Sequence, residues 1–345
     1  MKTTPVTLKD IARYLNLSPS SVSRALKDHP EISLKTKMQV MEVAARLNYR
    51  PNVVARGLKK RQTDTIGVII PEIVHYFFSQ VISGIEEVAY NEGYTVMICQ
   101  SNEKYDREIN NVHTLLAHQV AGILVSVSKE TSGFEHLQEI KKEGIPLVFF
   151  DRAFENMKFS RVVFNDKPGA ANSINCIIKE GYTRFANFAG YSDTNIGKER
   201  LDGYIDALAK NKIPVKKDWI IEGGFEFRDG YGSFKKLISS GSLPEVIFTV
   251  NDRVALGAYK AAKEAGLNIP EDIGIFGYGF NEITDFFDPQ FTVINQDPRK
   301  MGQEAIKLII NEIEEGTKKG KSRILIEEEF LWRKSVKRKM GKLNK

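Results

Sequence analysis

From Thr65 onward, short β-branched runs alternate with amphipathic helical stretches, and this alternation limits the fold more than any other feature of the chain. Ile66–Ile70, Thr95–Cys99, Gly122–Val125, Leu147–Phe150, Arg161–Phe164, Phe185–Ala189, Val246–Val250 and Ile273–Phe276 have the length and composition of strands. Gln80–Asn91 and Asp252–Ala265 lie between them with helical spacing. Strands this uniformly apolar are covered on both faces. The pattern therefore predicts an α/β protein with parallel sheets and ligands at the carboxyl ends of the strands. The segment is long for a single sheet, so two lobes with a cleft between them are expected.

The charge is divided unevenly. The net +6 resolves into 13 Lys/Arg against four acids in residues 1–62, giving +9, and 37 against 40 in the rest, giving −3. A positive excess at one end suits phosphate neutralisation with counterion release. The two cysteines, Cys99 and Cys176, imply no disulfide framework, and no run reaches the length of a membrane span. A cytoplasmic protein with no membrane partner is expected.

Within the basic end, Thr7 caps a short helix whose Leu8, Ile11, Ala12 and Leu15 form one apolar stripe. Asn16 suits a left-handed turn. Ser18 caps a second helix, Pro19–Leu26, with Pro19 at its first position, Val22 and Leu26 inward, and Ser20, Ser21, Ser23 and Arg24 outward. A third helix over Ser33–Asn48 closes a small core with Met41, Ala44, Ala45 and Leu47. This is a helix-turn-helix. Arg24 has the reach for a guanine edge, Ser20 can donate or accept at a base, and Pro19 presses on a thymine methyl or fixes the helix entry. Ser21, Ser23 and Thr36 are placed for phosphates, and the caps Thr7 and Ser18 join the same DNA-facing set. Residues 53–62 are too short and polar to hold a helix alone and read as a hinge. Leu58, among Arg56, Lys59, Lys60 and Arg61, is either a minor-groove wedge or an incidental linker residue.

Val6-Thr-Leu-Lys-Asp-Ile-Ala, Ser21-Val-Ser-Arg-Ala-Leu and Leu47-Asn-Tyr-Arg-Pro-Asn-Val-Val-Ala-Arg-Gly-Leu58 together resemble the DNA-binding end of the lactose-repressor (LacI/GalR) family. The likeness continues through Thr65-Ile-Gly-Val-Ile-Ile-Pro71, Phe149-Phe-Asp-Arg152, Gly197-Lys-Glu-Arg-Leu-Asp-Gly-Tyr204, Asn251-Asp-Arg-Val-Ala-Leu-Gly257 and Ile269-Pro-Glu-Asp-Ile273. The resemblance implies that Leu58 intercalates at the centre of a pseudo-palindrome, that Ala55 lines the minor groove and that Asn52 holds a phosphate. It also implies a core of the periplasmic-binding-protein type I arrangement, with three crossings between lobes near Asn165, Ile294 and Ser322. The expected domains are then a head (1–50), a hinge (51–63), a first lobe (64–164 and 295–322), a second lobe (165–294 and 323–340) and a tail (341–345).

Ser126, Asp151-Arg152, Asn165-Asp166 and Asn251-Asp252 end strands on the cleft side, while Arg200 opens a helix. Phe78 and Phe225 occupy loop-like positions. Carboxylates, amides and a guanidinium around aromatic faces suit a polyhydroxylated ligand such as a sugar. By resemblance, Asp151, Arg200 and Asp252 match effector-holding positions and Phe78 and Phe225 match aromatic pocket positions; Ser126 joins them as an effector contact. The chain departs from the family in Gly277-Tyr-Gly-Phe-Asn281, where relatives carry two acids, and in Asn165 before Asp166.

No cofactor or metal is expected: His29, His75, His113, His118 and His136 lack ligand spacing, and no G-x-S-x-G elbow or phosphate loop occurs. An α/β sugar-processing enzyme with a fused head would need an activated nucleophile or a metal. A nucleoid protein would leave the cleft-forming architecture without a use. The expected partners are operator DNA, a small-molecule effector and a second copy of the chain, with Ile82 and Ile85 as dimer-face residues. The basic tail from Arg333 reads as a solvated terminus without a leucine heptad.

Overall fold

The structure, a computed structural model, describes residues 6–49, 63–154, 157, 159–316 and 321–339. It divides into two compact units at Thr63/Asp64.

The first unit holds α1 (Leu8–Leu15), α2 (Pro19–Leu26) and α3 (Leu34–Arg46). Asn16 adopts φ 54° and ψ 39°, the left-handed conformation that turns the chain between α1 and α2. Ser18 Oγ accepts from the Ser21 amide at 3.0 Å, capping α2. The core is Ile11, Ala12, Val22, Ala25, Val40, Val43 and Ala44. Ala25, not Leu26, is the second fully buried position of α2; Leu26 is only half-buried. On α3 the inward set is Val40, Val43 and Ala44, whereas Met41 and Ala45 face solvent. The three- and four-residue spacing from Val40 fixes that face, and Met41 falls about 100° away from it.

The second unit has two six-stranded sheets. In the first lobe run β1 (Thr65–Ile70), α4 (Tyr76–Asn91), β2 (Thr95–Gln100), α5 (Tyr105–Ala117), β3 (Gly122–Val125), α6 (Glu135–Lys142), β4 (Leu147–Phe150) and β5 (Ser160–Phe164). The second lobe takes α7 (Asp166–Lys179), β6 (Phe185–Ala189), α8 (Asn195–Lys210), β7 (Ile220–Glu222), α9 (Phe227–Ser239), β8 (Val246–Thr249), α10 (Asp252–Glu264), β9 (Gly274–Gly279), α11 (Asn281–Thr284) and β10 (Thr292–Asn295). The chain then returns through α12 (Pro298–Glu315) and β11 (Arg323–Ile326) to the first lobe and ends with β12 (Glu329–Leu331) in the second. The strand orders are β11-β5-β4-β3-β1-β2 and β12-β10-β9-β8-β6-β7. Every pair is parallel except β10–β12, an antiparallel edge on the second sheet. Each sheet is buried on both faces: α4 and α12 cover one side of the first and α5 and α6 the other, while α9–α10 and α7–α8 flank the second.

The chain crosses between lobes at Asn165, at Gln296-Asp297 and at Glu327-Glu328. The third crossing is later than the expected Ser322, because Arg323–Ile326 pairs in register with Arg161–Phe164 and belongs to the first sheet. Ile85 is fully buried under α12 and is unavailable to a partner; Ile82 is half-buried. The stretch from Arg333 to Lys339 is not a solvated terminus. Ser335 Oγ donates to the Ile275 carbonyl at 2.5 Å, Val336 is buried, and Lys339 pairs with Glu245 at 2.6 Å. Among the described residues no helix is long and apolar enough to cross a membrane.

Candidate nucleic-acid interface and ligand cleft

On the head, Thr7, Ser18, Pro19, Ser20 and Arg24 are exposed, and Ser21, Ser23 and Thr36 are half-exposed. Several are bonded to one another. Ser18 Oγ lies 2.7 Å from Ser20 Oγ and 2.9 Å from Ser21 Oγ, and Thr36 Oγ1 lies 2.8 Å from Ser33 Oγ. Arg24 Nη1 donates to Glu31 Oε2 at 2.7 Å, a partner that helix periodicity did not suggest. Both side chains are more than half exposed, so the pair is weak. Asn52, Ala55 and Leu58 lie outside the described residues.

In the second unit, the carboxyl ends of both sheets face a cavity of about 680 Å³. The parallel topology places it there, since Glu72 follows β1, Asp151 follows β4, Tyr191 follows β6, Asn251 follows β8, Phe280 follows β9 and Gln296 follows β10. Phe78, Asp151, Arg200, Phe225 and Asp252 all line it. Ser126 does not reach the wall; its Oγ donates to Asp151 Oδ2 at 3.3 Å from behind. Phe78 sits in the first turn of α4 rather than in a loop, and Arg200 is in the second turn of α8 rather than at its start.

Asp151 has φ 60°, a conformation Asp tolerates better than most residues, and it turns the chain so that the carboxylate meets the cavity. Its carbonyl accepts from Asn195 Nδ2 at 3.2 Å, bridging the lobes. Burial pushes both Asp151 and Asp252 up to about 6, against the pull of Arg152 and Arg200 on Asp151 and of the Arg253 amide and guanidinium on Asp252. Neither has an ion-pair partner within 4 Å among the described residues. Arg200 is fixed on three sides: Nε donates to Asp166 Oδ1 at 2.6 Å, Nη1 donates to the Val250 carbonyl at 2.5 Å, and the guanidinium lies 3.6 Å from the Tyr278 ring centroid. Burial works against its charge, but Asp166, with Tyr278 and Glu328 adding to it, holds the group above its usual range.

Besides Arg152, the mouth carries His75, Glu103, Glu226 and Arg253, which sequence patterns do not assign to the cleft. Arg253 of the second lobe bonds His75 of the first and Glu226 beside it, and His75 Nε2 lies 3.0 Å from Glu72 Oε2. Arg152 donates to both oxygens of Glu103 at 2.9 Å and lies over the Phe225 ring. His75 thus belongs to the cleft, where burial and then Arg253 lower it from the ordinary imidazole value. The available signal was positional: these residues follow strand ends. The cleft offers buried acceptors, a fixed guanidinium and apolar ring faces, an arrangement for holding a small polar molecule. Among the described residues no cluster of three or more His, Cys, Asp or Glu could hold a metal.

Residues 7–52 match the model for bacterial regulatory proteins of the lacI family, and residues 63–334 match that for periplasmic binding proteins and the sugar-binding domain of the same family. The HTH-type transcriptional repressor PurR of Vibrio cholerae is 31% identical over 309 residues, 90% of this chain and 92% of that protein. A lac repressor dimer solved with operator and the anti-inducer ONPF superposes with TM-score 0.85 at 26% identity, over 96% of this chain and 99% of that one. A LacI-family regulator from Enterococcus faecium with bound ribose gives TM-score 0.70 at 26% identity, over 79% and 99%. With both of its units matched and curated repressors aligned along nearly its whole length, this chain belongs to the LacI family of bacterial transcription regulators.

Proposed function

We propose that this regulator represses transcription by binding a pseudo-palindromic operator as a homodimer, and that a sugar or sugar derivative in the interlobe cleft sets its operator affinity. The observation that carries the effector reading is the cavity floor. Among the described residues Asp151 and Asp252 are buried acceptors without ion-pair partners; Ser126 and the Arg253 amide use only part of their acceptor capacity, and vicinal hydroxyls can fill the rest. Phe78, Phe225 and Tyr191 offer ring faces to the C–H side of such a ligand. The homodimer follows from reach, since one head spans only a few base pairs and a two-fold pair reads two half-sites. Asp151, Arg200, Asp252, Phe78 and Phe225 act as effector contacts, with Ser126 orienting Asp151. Pro19, Ser20 and Arg24 read bases, and Thr7, Ser18, Ser21, Ser23, Thr36 and Asn52 anchor phosphates. By the family resemblance, Ala55 and Leu58 enter the minor groove. The reading places the protein in the cytosol, where its DNA is.

The test is thermal unfolding of the full chain against mono- and oligosaccharides, sugar phosphates and nucleobases. A ligand at 100 times its Kd adds about 2.7 kcal/mol, and Asp252→Ala should abolish that gain. Affinity should weaken as pH falls through about 6, because protonated Asp151 and Asp252 lose acceptor capacity. Stabilisation by nucleobases alone, or binding that is flat from pH 5 to 8, would sink the sugar reading. Whichever ligand binds must shift operator affinity by the factor by which operator shifts its own. In an operator-binding titration at varied salt, Leu58→Ala should lose specific operator affinity yet keep salt-dependent nonspecific binding.

A further inference from the structure

The three crossovers meet at one buried charged cluster that effector binding does not by itself require. Asp166 opens α7 just past the first crossover, Gln296 lies in the second and Glu328 in the third. Gln296 Nε2 donates to Glu328 Oε1 at 3.3 Å, and Gln296 also lines the cavity. Glu328 lies within side-chain hydrogen-bonding reach of Asp166, which accepts from Arg200 Nε at 2.6 Å. A closed path therefore runs from the cavity wall through Gln296, Glu328 and Asp166 to Arg200 on the cavity floor.

Charge counting constrains this path. Two carboxyls share one guanidinium in a site where Asp166 and Arg200 are each at most 5% exposed. Glu328 Oε2 is buried without a donor partner. Among the described residues Arg200 is the cation that acts on it: Tyr278 and Gln296 are neutral, Glu327 beside it is acidic and bonded to Asn165, and Asp151 adds negative charge toward Asp166. Glu328 Oε2 packs against Gly169, where an added Cβ would stand 2.1 Å from it. Two ionised carboxylates in contact in such a site repel each other, and one proton between them removes the repulsion while supplying the missing donor.

We propose that Glu328 carries that proton and donates it as a hydrogen bond to ionised Asp166, making Glu328 the positioning residue that locks Arg200 and all three crossovers into one unit. Burial first and the charge of Asp166 second push Glu328 up to about 9, in accord with a carboxyl kept neutral at physiological pH. The neutral acid costs stability as pH rises. Between its ordinary value near 4.5 and about 9 the folded chain holds a proton that the unfolded chain has released, so the native state weakens across that window.

The experiment is thermal and denaturant unfolding of the full chain from pH 5 to 8 for wild type, Glu328→Gln and Glu328→Ala. Glutamine keeps the donor and the neutrality but has no proton to lose. The unfolding constants of wild type and Glu328→Gln should therefore diverge in favour of glutamine by up to tenfold per pH unit. Glu328→Ala should unfold more easily at every pH, because Gln296 and Asp166 both lose a partner. In an Asp166→Asn background the sign should reverse: Glu328 is then free to ionise toward Arg200 without a second carboxylate against it, and glutamine destabilises. Parallel profiles for wild type and Glu328→Gln would show Glu328 ionised and overturn the proposal. So would a Glu328→Gln chain that fails to fold or falls as far as Glu328→Ala.

Discussion

Arg200→Met should cost the effector unit about 3–5 kcal/mol at pH 7, the range for stripping one partner from a buried ion pair. Arg200 is 5% exposed and its counter-ion Asp166 3%. Methionine fills much of the aliphatic volume, so the loss is electrostatic. Without the guanidinium, Asp166 must remain buried and charged or take up a proton. Lifting a carboxyl from its ordinary 3.8 to neutrality at pH 7 costs about 4 kcal/mol at ~1.4 kcal/mol per unit. The Val250 carbonyl loses its 2.5 Å donor as well. A melting-temperature drop of about 10 °C is expected for a unit of this size. The penalty should shrink by about 1.4 kcal/mol per pH unit below 7, because the proton that replaces the guanidinium is then more available. Arg200→Lys should recover only part of it, since an ammonium cannot bridge Asp166 and Val250 while stacking on Tyr278. A loss under about 1 kcal/mol at pH 7 would contradict the buried pair. Chemical denaturation from pH 5 to 8 measures both the loss and its slope.

The same residue shows where the sequence was legible. Strands β1, β3, β4, β6 and β8 are readable because burial on both faces makes them predominantly apolar runs, with Asn187 the polar residue inside β6. The edges were not. Ile220–Glu222 has three residues and no buried position, and β11 is a four-residue edge strand with only Ile326 buried, so both are too short to stand out as strands. The third crossing was therefore placed four residues before the end of β11. Asp151 and Asp252 could be found because they sit at ends of legible strands, and Arg200 because its surrounding motif resembles the family's. His75 and Arg253 could not: they are 178 positions apart and meet only once two lobes have formed. Ile85 failed as a dimer residue for the same reason. A helix face reads as outward until a later segment, here α12, covers it. The Gln296–Glu328–Asp166 path likewise joins three crossovers that no local pattern relates.

Long-range closeness of this kind also underlies Gly257→Ala, expected to destabilise the effector unit by about 1–3 kcal/mol through overpacking. Gly257 on α10 and Gly230 on α9 face each other where those helices cross. A Cβ at Gly257 would stand 2.1 Å from the Phe227 carbonyl, and one at Gly230 would stand 1.9 Å from that of Val254. These neighbours are backbone, so the clash cannot be relieved by a rotamer and the helices must separate. Their first turns carry the cleft: Phe225 and Glu226 lead into α9, and Asn251, Asp252 and Arg253 begin α10. Asn251 Nδ2 ties the two by donating to the Phe225 carbonyl at 2.9 Å. Pushing the helices apart therefore moves Asp252 away from Phe225 and weakens whatever ligand the thermal panel identifies. The head, a separate unit, should retain salt-dependent DNA binding. Gly232→Ala is the control on the same α9 helix: no atom lies within 4 Å of its added Cβ, so alanine should be neutral or stabilise by up to about 1 kcal/mol. If Gly257→Ala and Gly232→Ala shift the midpoint alike, helix propensity and not the crossing sets the outcome. If only Gly257→Ala loses both stability and ligand, the spacing of the two helices holds the cleft in its binding shape.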